Sequence, residues 1–224
     1  MILPQLIVLD LAGTTVEDRG QVPEAFEAAL AAHGLAVSRE GLAGVRGSSK
    51  REAIASLVPA GADHASRSAA VYEAFQRELT ARYQASGVQE VAGAGDALRW
   101  LRERKVRIAL NTGFDRAITE MLLDRLGWRT GRADAIVCGD DVAHGRPAPD
   151  LILLAMQRTG TTDPARVANV GDTTLDLQAG HAARVRWNVG VLSGAHTRAR
   201  LESQPHTHLL DSVAALPSLF GDPR

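Results

Sequence analysis

Four short apolar runs, each closing on polar residues and each followed by a longer polar-apolar stretch, constrain this chain more than any other feature. They read LIVLD at 6–10, VRIALNTG at 106–113, DAIVCGDD at 134–141 and RVANVGD at 166–172. Continuous apolar runs, rather than strict alternation, suit strands buried on both faces of a parallel sheet. Two of the stretches between them have helical spacing. From Gly93 to Lys105, Ala97, Leu98 and Leu101 share a face; from Asp115 to Leu126, Ile118, Leu122 and Leu126 do so, and Gly127 ends the pattern. Strands alternating with helices predict an α/β chain with a doubly wound, Rossmann-like parallel sheet. Two further runs, WNVGVLSG at 187–194 and THLL at 207–210, are expected to complete it.

The polar residues that end the four runs are Asp10, Thr112, Asp140 with Asp141, and Asp172. Ligands of open α/β sheets bind outside the carboxyl ends of the strands, so these groups are expected to converge in one crevice. Residues 17–87 hold no strand-like run. Pro23 is expected to open a helix in which Phe26 and Leu30 share a face before Gly34, and Asp63 to cap another in which Tyr72, Phe75, Leu79 and Tyr83 form a stripe. The expected division is therefore a core of 1–16 and 88–224, with an inserted all-helical cap domain at 17–87 that closes over the crevice and excludes water.

Bulk properties exclude several classes. A formal net charge of -1 over 224 residues, with few aromatics, gives no nucleic-acid surface. No run reaches the roughly 18 apolar residues of a membrane span. The apolar stretch Met1 to Leu11 lacks a basic start and a small-residue cleavage site, and it carries Asp10, so it reads as a core strand. A single cysteine, Cys138, fits a reducing cytoplasm.

At the end of the first run, Asp10 is a candidate nucleophile that would attack phosphorus to give an aspartyl-phosphate. Gly13-Thr14-Thr15 follows, and glycine there allows backbone N–H groups to approach an anionic oxygen. Asp10 and Asp172 would suit a hard cation such as Mg²⁺, with the backbone carbonyl of Ala12 as a third ligand and Asp176 orienting the loop. Thr112 and Gly113 can donate to phosphate oxygens, and Arg146, in a loop stiffened by Pro147 and Pro149, can neutralise their charge bidentately. In the cap, Ser49 and Glu52 have capping-box spacing, which places Lys50 at the first position of a helix beside Arg46 and Arg51. The helix dipole and the like charges both favour its neutral amine, the form that makes Schiff bases with carbonyls.

Together these segments resemble the haloacid dehalogenase superfamily, and within it the phosphonatase-like branch, over nearly the whole chain. Asp10-Leu11-Ala12-Gly13-Thr14-Thr15 is similar to that branch's D-x-A-G-T-T, where most superfamily phosphatases have D-x-D. Thr112-Gly113-Phe114 is similar to its T-G-Y, Gly145-Arg146-Pro147 has arginine where most members carry lysine, and Lys50 matches the cap lysine that forms the Schiff base. The resemblance implies Mg²⁺-dependent hydrolysis of the C–P bond of phosphonoacetaldehyde or a near relative, and a homodimer paired through the caps.

It also accounts for Ala12. A phosphate ester needs an acid to protonate the departing alkoxide, and such catalysis is worth roughly 10²–10⁴-fold. In C–P cleavage a protonated imine at Lys50 takes up the electrons instead. Two departures bear on the substrate: Ala53 stands where the branch has a histidine, and Arg46 where it has a methionine, which would suit a substrate with an extra hydroxyl or acidic group. The segment GSSKREAI also resembles caps of sugar-phosphate mutases and phosphatases, so a phosphatase of small phosphate monoesters, with Lys50 only binding substrate, is the alternative. The histidines are expected to be satisfied or solvated: His144 sits in the loop before Arg146, near enough to contact substrate, and His206 and His208 flank the last expected strand.

Overall fold

The expected strands pair into one parallel six-stranded sheet in a computed structural model that describes residues 2–221. They are β1 (Leu6–Asp10), β2 (Arg107–Asn111), β3 (Ala135–Val137), β4 (Val167–Gly171), β5 (Trp187–Val191) and β6 (His208–Leu210). Met1, the first residue of the apolar stretch that contains β1, lies outside the described residues. The spatial order is β3-β2-β1-β4-β5-β6, so the winding reverses between β1 and β4, where open α/β sheets bind their ligands. Leu6 lies opposite both Arg107 and Val167, which brings the carboxyl ends of β1, β2 and β4 level.

Helices α1 (Gln21–Ala32), α2 (Arg39–Gly44), α3 (Lys50–Leu57) and α4 (His64–Ser86) lie between β1 and β2. Later come α5 (Ala94–Glu103), α6 (Arg116–Leu126), α7 (Asp150–Thr159), α8 (Thr174–Ala182), α9 (Arg198–Glu202) and α10 (Leu216–Phe220). Successive residues of β1 serve opposite layers, as the two-residue period requires. Ile7 and Leu9 pack with Leu98 and Leu101 of α5, while Leu6 and Val8 pack with Leu151 and Ile152 of α7. Every residue of β1 and β4 is buried, which is why both runs are apolar without alternation.

The four inserted helices have their own apolar cluster, built on Phe26, Leu30, Ile54, Phe75, Leu79 and Tyr83. Phe114, Ile118 and Leu122 of the sheet-bearing part join it, so the insertion is seated on α6. A polar tie reinforces the contact: the Tyr72 hydroxyl and the Gln76 amide both donate to the Asp115 carboxylate, which also caps α6 through the Ile118 N–H at 2.9 Å.

Several local expectations are corrected. Helix α1 begins at Gln21, two residues before Pro23, and Asp18 Oδ1 accepts from the Val22 N–H at 3.2 Å. Helix α3 does start at Lys50, but without the reciprocal capping box: Glu52 Oε1 instead accepts from the Gly145 N–H at 3.2 Å across the fold. Asp63 precedes α4, but its side chain accepts no capping bond. Asp140 and Asp141 do not reach the crevice, because the three-residue β3 is at the sheet edge and both carboxylates turn to neighbouring arginines. Asp140 accepts from the Arg116 N–H at 3.0 Å, and Asp141 pairs with Arg116 and Arg158 at 2.5 and 2.9 Å. Among the described residues no helix is long and apolar enough to cross a membrane.

Candidate active site

One cavity opens at the carboxyl ends of β1, β2 and β4, roofed by the inserted helices. Asp10, Ala12, Thr112, Gly113, Arg146 and Asp172 line its floor, and Lys50 and Arg46 reach it from above. It measures about 40 Å³.

Asp10 ends β1 and is 6 % exposed. Burial raises its carboxyl to about 6, against the pull of Arg146. Asp172 follows β4 and is 1 % exposed; its Oδ2 accepts from the Ala195 N–H at 2.6 Å and its Oδ1 from the Thr14 hydroxyl at 3.3 Å. Burial, with Asp10 and Asp176 nearby, raises its carboxyl to about 8. Both groups are held because the chain can come very close. Gly13 has φ +89°, and a Cβ there would lie 2.5 Å from Asp172 Oδ2; a Cβ at Gly194 would lie 2.0 Å from it.

Gly13 and Thr14 therefore act differently from the sequence expectation, and neither lines the cavity. Their backbone N–H groups donate to the Val16 and Leu11 carbonyls, closing the turn, and the Thr14 hydroxyl is committed to Asp172. Thr15 likewise bonds back to the Asp10 carbonyl at 2.8 Å. The triplet shapes the ground behind the two carboxylates.

Arg146, 4 % exposed, is the hub. Its Nη2 donates to Asp10 Oδ1 at 2.8 Å and to Asn111 Oδ1 at 2.7 Å; its Nη1 donates to the Gly47 carbonyl at 3.2 Å; its Nε pairs with Asp176 Oδ1 at 2.9 Å. Three of its partners belong to the sheet-bearing part and one to the insertion. Among the described residues all three guanidinium nitrogens therefore already have partners, instead of two being left free for the bidentate grip on phosphate that was expected. Asp176 also closes a capping box with Thr173, so it fixes both the α8 terminus and Arg146.

Lys50, 8 % exposed, comes over the cavity at the first position of α3. Its backbone N–H donates to the Gly113 carbonyl at 3.1 Å, its Nζ donates to the Ser48 carbonyl at 3.2 Å, and Nζ stands 5.1 Å from the Phe114 ring centre. Burial lowers its amine from 10.5 to about 8, with Asp10 working the other way. Thr112 Oγ1 accepts from the Phe114 N–H at 3.1 Å, which leaves its own hydroxyl proton available to a ligand. Arg46 Nη2 lies 3.0 Å from Asp18 Oδ2. His144 is exposed, pairs with Asp150 at 3.2 Å and does not line the cavity, as expected of a solvated histidine.

Sequence reasoning missed Asn111, Asp18, Thr173 and the Gly194-Ala195 turn. Asn111 had a signal, being the first polar residue at the end of its run, and the turn lies at the end of another. Asp18 and Thr173 had none, since the contacts that matter come from distant parts of the chain.

The donor set suits Mg²⁺. Asp10 and Asp172 are hard oxygen donors, and the Ala12 carbonyl at the cavity accepts no hydrogen bond among the described residues. Three buried carboxylates, Asp10, Asp172 and Asp176, face Arg146 and Lys50, an arrangement that a further cation would balance.

A haloacid dehalogenase-like hydrolase family model matches residues 4–184. Phosphonoacetaldehyde hydrolase of Bordetella pertussis is 30% identical, over 97% of this chain and 91% of the relative. Phosphoglycolate phosphatase of Pseudomonas putida is also 30% identical, over 99% and 81%. Among solved structures, a phosphonoacetaldehyde hydrolase-like protein from Oleispira antarctica superposes with TM-score 0.83 at 20% identity, covering 98% of this chain and 94% of that one. A haloacid dehalogenase-like hydrolase from Bacteroides fragilis gives 0.81 at 22% identity, covering 95% and 99%. Sheet order, matched family model and relatives agree: the chain belongs to the haloacid dehalogenase-like hydrolases and is a hydrolase.

Proposed function

We propose that this protein hydrolyses the C–P bond of phosphonoacetaldehyde or a closely related 2-oxoethylphosphonate. One observation carries the reading: a buried lysine amine with a lowered pKa shares a small cavity with Asp10, while the position that would supply a leaving-group acid is Ala12. The neutral Lys50 amine adds to the carbonyl carbon and, with uptake of one proton and loss of water, gives a protonated imine. The Asp10 carboxylate then forms a bond to phosphorus as the C–P bond breaks. The bonding pair becomes the C=C of an enamine, and the iminium nitrogen is neutralised. Proton uptake at carbon restores the imine, and water releases the aldehyde from Lys50. A second water hydrolyses the aspartyl-phosphate to phosphate.

Arg146 keeps the Asp10 carboxylate aimed and ionised, and the Thr112 hydroxyl donates to a phosphoryl oxygen. Asp10, Asp172 and the Ala12 carbonyl would hold Mg²⁺, which supplies positive charge against the transferring phosphoryl group when bound. The inserted helices exclude water from the imine. The free, buried Cys138 accords with a reducing compartment such as the cytoplasm.

Borohydride added during turnover is expected to fix the substrate's carbon skeleton to Lys50, seen by peptide mass. Turnover with no adduct would remove the imine. The phosphoglycolate phosphatase relative supports a second reading, a phosphatase of small esters. Under it, Lys50→Arg keeps substantial activity.

A further inference from the structure

The wall of the cavity that the inserted helices supply is apolar, formed by Val22, Pro23, Phe26, Leu42 and Val45, with one exception besides Lys50. The exception is the Arg46–Asp18 pair, and both residues line the cavity. Asp18 is rigidly placed: its Oδ1 accepts from the Gly20 and Val22 N–H groups at 3.1 and 3.2 Å, which pins the carboxylate to the first turn of α1. Its Oδ2 takes Arg46 Nη2 and has lone-pair capacity left. Arg46 commits one nitrogen to this contact, and its side chain is 30% exposed. The pair also stands close to the reacting end, since the Asp18 charge reaches Lys50.

A neutral pair that presents a donor and an acceptor side by side selects a particular chemistry. A hydrogen or methyl on the substrate would leave the spare donors of Arg46 and the spare lone pairs of Asp18 facing an apolar group. A carboxylate would gain Arg46 but face the Asp18 charge. A hydroxyl accepts from Arg46 and donates to Asp18, satisfying both. We infer that the preferred substrate is a 2-oxoethylphosphonate carrying a hydroxyl on its carbon skeleton, with Arg46 and Asp18 as the residues that read it. This inference rests on the C–P-cleavage reading and narrows its substrate class.

The test is phosphate release from 2-oxoethylphosphonate, 1-hydroxy-2-oxoethylphosphonate and 2-oxo-3-phosphonopropanoate, with kcat/KM for the wild type, Arg46→Met and Arg46→Gln. The wild type is expected to favour the hydroxylated aldehyde over the plain one by about tenfold or more, the scale of a hydrogen bond to a charged group. In Arg46→Met that ratio falls to near one, and in Arg46→Gln, which keeps a donor, it is intermediate. Should either variant fail to fold, the wild-type ratio alone decides. Turnover of both aldehydes at equal kcat/KM, or a preference for the carboxylated compound, overturns the hydroxyl inference and leaves C–P cleavage standing. Release from none of the three overturns both.

Discussion

Lys50 sits where an ammonium is poorly tolerated, buried against Phe114 with a single carbonyl for its Nζ. Because burial lowers its pKa from 10.5 to about 8, the neutral amine that imine formation needs becomes abundant as pH rises through 8. The kcat/KM for phosphonoacetaldehyde is therefore expected to climb with pH and level off with an inflection near 8; an inflection above 10 would contradict the burial argument. Lys50→Arg keeps the charge but cannot form the imine, so phosphate release should fall on the order of 10³-fold or more. Asn111 acts one step back, through Arg146. Removing its carbonyl in Asn111→Ala is expected to lower kcat by roughly tenfold or more with little change in KM, since a hydrogen bond to a charged group is lost. An unchanged kcat would show that Asp10 and Asp176 hold Arg146 without it. At this scale the sequence marked the polar groups that line the cavity well, because Asp10, Thr112 and Asp172 end apolar runs. It could not display that Arg146 spends its donors on Asp10, Asn111, Asp176 and Gly47, which are brought together only by folding.

The elements meet along a seam where backbone replaces side chains. A Cβ at Gly113 would lie 2.3 Å from the Ser48 carbonyl oxygen, and one at Gly47 would lie 2.3 Å from Thr173 Oγ1. At that seam the turn before α3 docks on the turn after β2, through Lys50 N–H to the Gly113 carbonyl. Gly113→Ala meets backbone, which cannot swing aside as a side chain can. It is expected to lift Lys50 away from Asp10 and to lower kcat/KM by about tenfold or more, with a stability change within the usual ~0.5–3 kcal/mol of a point substitution. Equal activity in a folded Gly113→Ala protein, checked by thermal melting, would mean that the seam tolerates displacement. The failed capping box belongs here too. Ser49 and Glu52 have the right spacing, yet Glu52 reaches Gly145 across the seam. Local spacing correctly marked the start of α3, whereas the partner was decided by a tertiary contact that no local pattern encodes.

Over the whole molecule, the parallel sheet places its winding reversal at β1 and β4, and the two carboxylates Asp10 and Asp172 emerge there side by side. The fold class was readable because buried parallel strands leave continuous apolar runs and amphipathic helices leave a 3.6-residue period. Asp140 and Asp141 show the limit of that reading: they end an apolar run as Asp172 does, but β3 lies at the edge of the sheet and their charges go to Arg116 and Arg158. Strand order, which decides whether a strand-end carboxylate faces the crevice, is not written in any one run. The inserted helices then bring Lys50 to the cavity that Asp10 of β1 lines, which is the juxtaposition the proposed chemistry needs. The most direct measurement is phosphate release from phosphonoacetaldehyde by the wild type and by Lys50→Arg, each with Mg²⁺ and with Mg²⁺ removed by chelator. The account predicts rapid release by the wild type with Mg²⁺, and near-complete loss both on chelation and in Lys50→Arg. No release from folded wild type with Mg²⁺ present, together with hydrolysis of a small phosphate ester that survives Lys50→Arg, would contradict it.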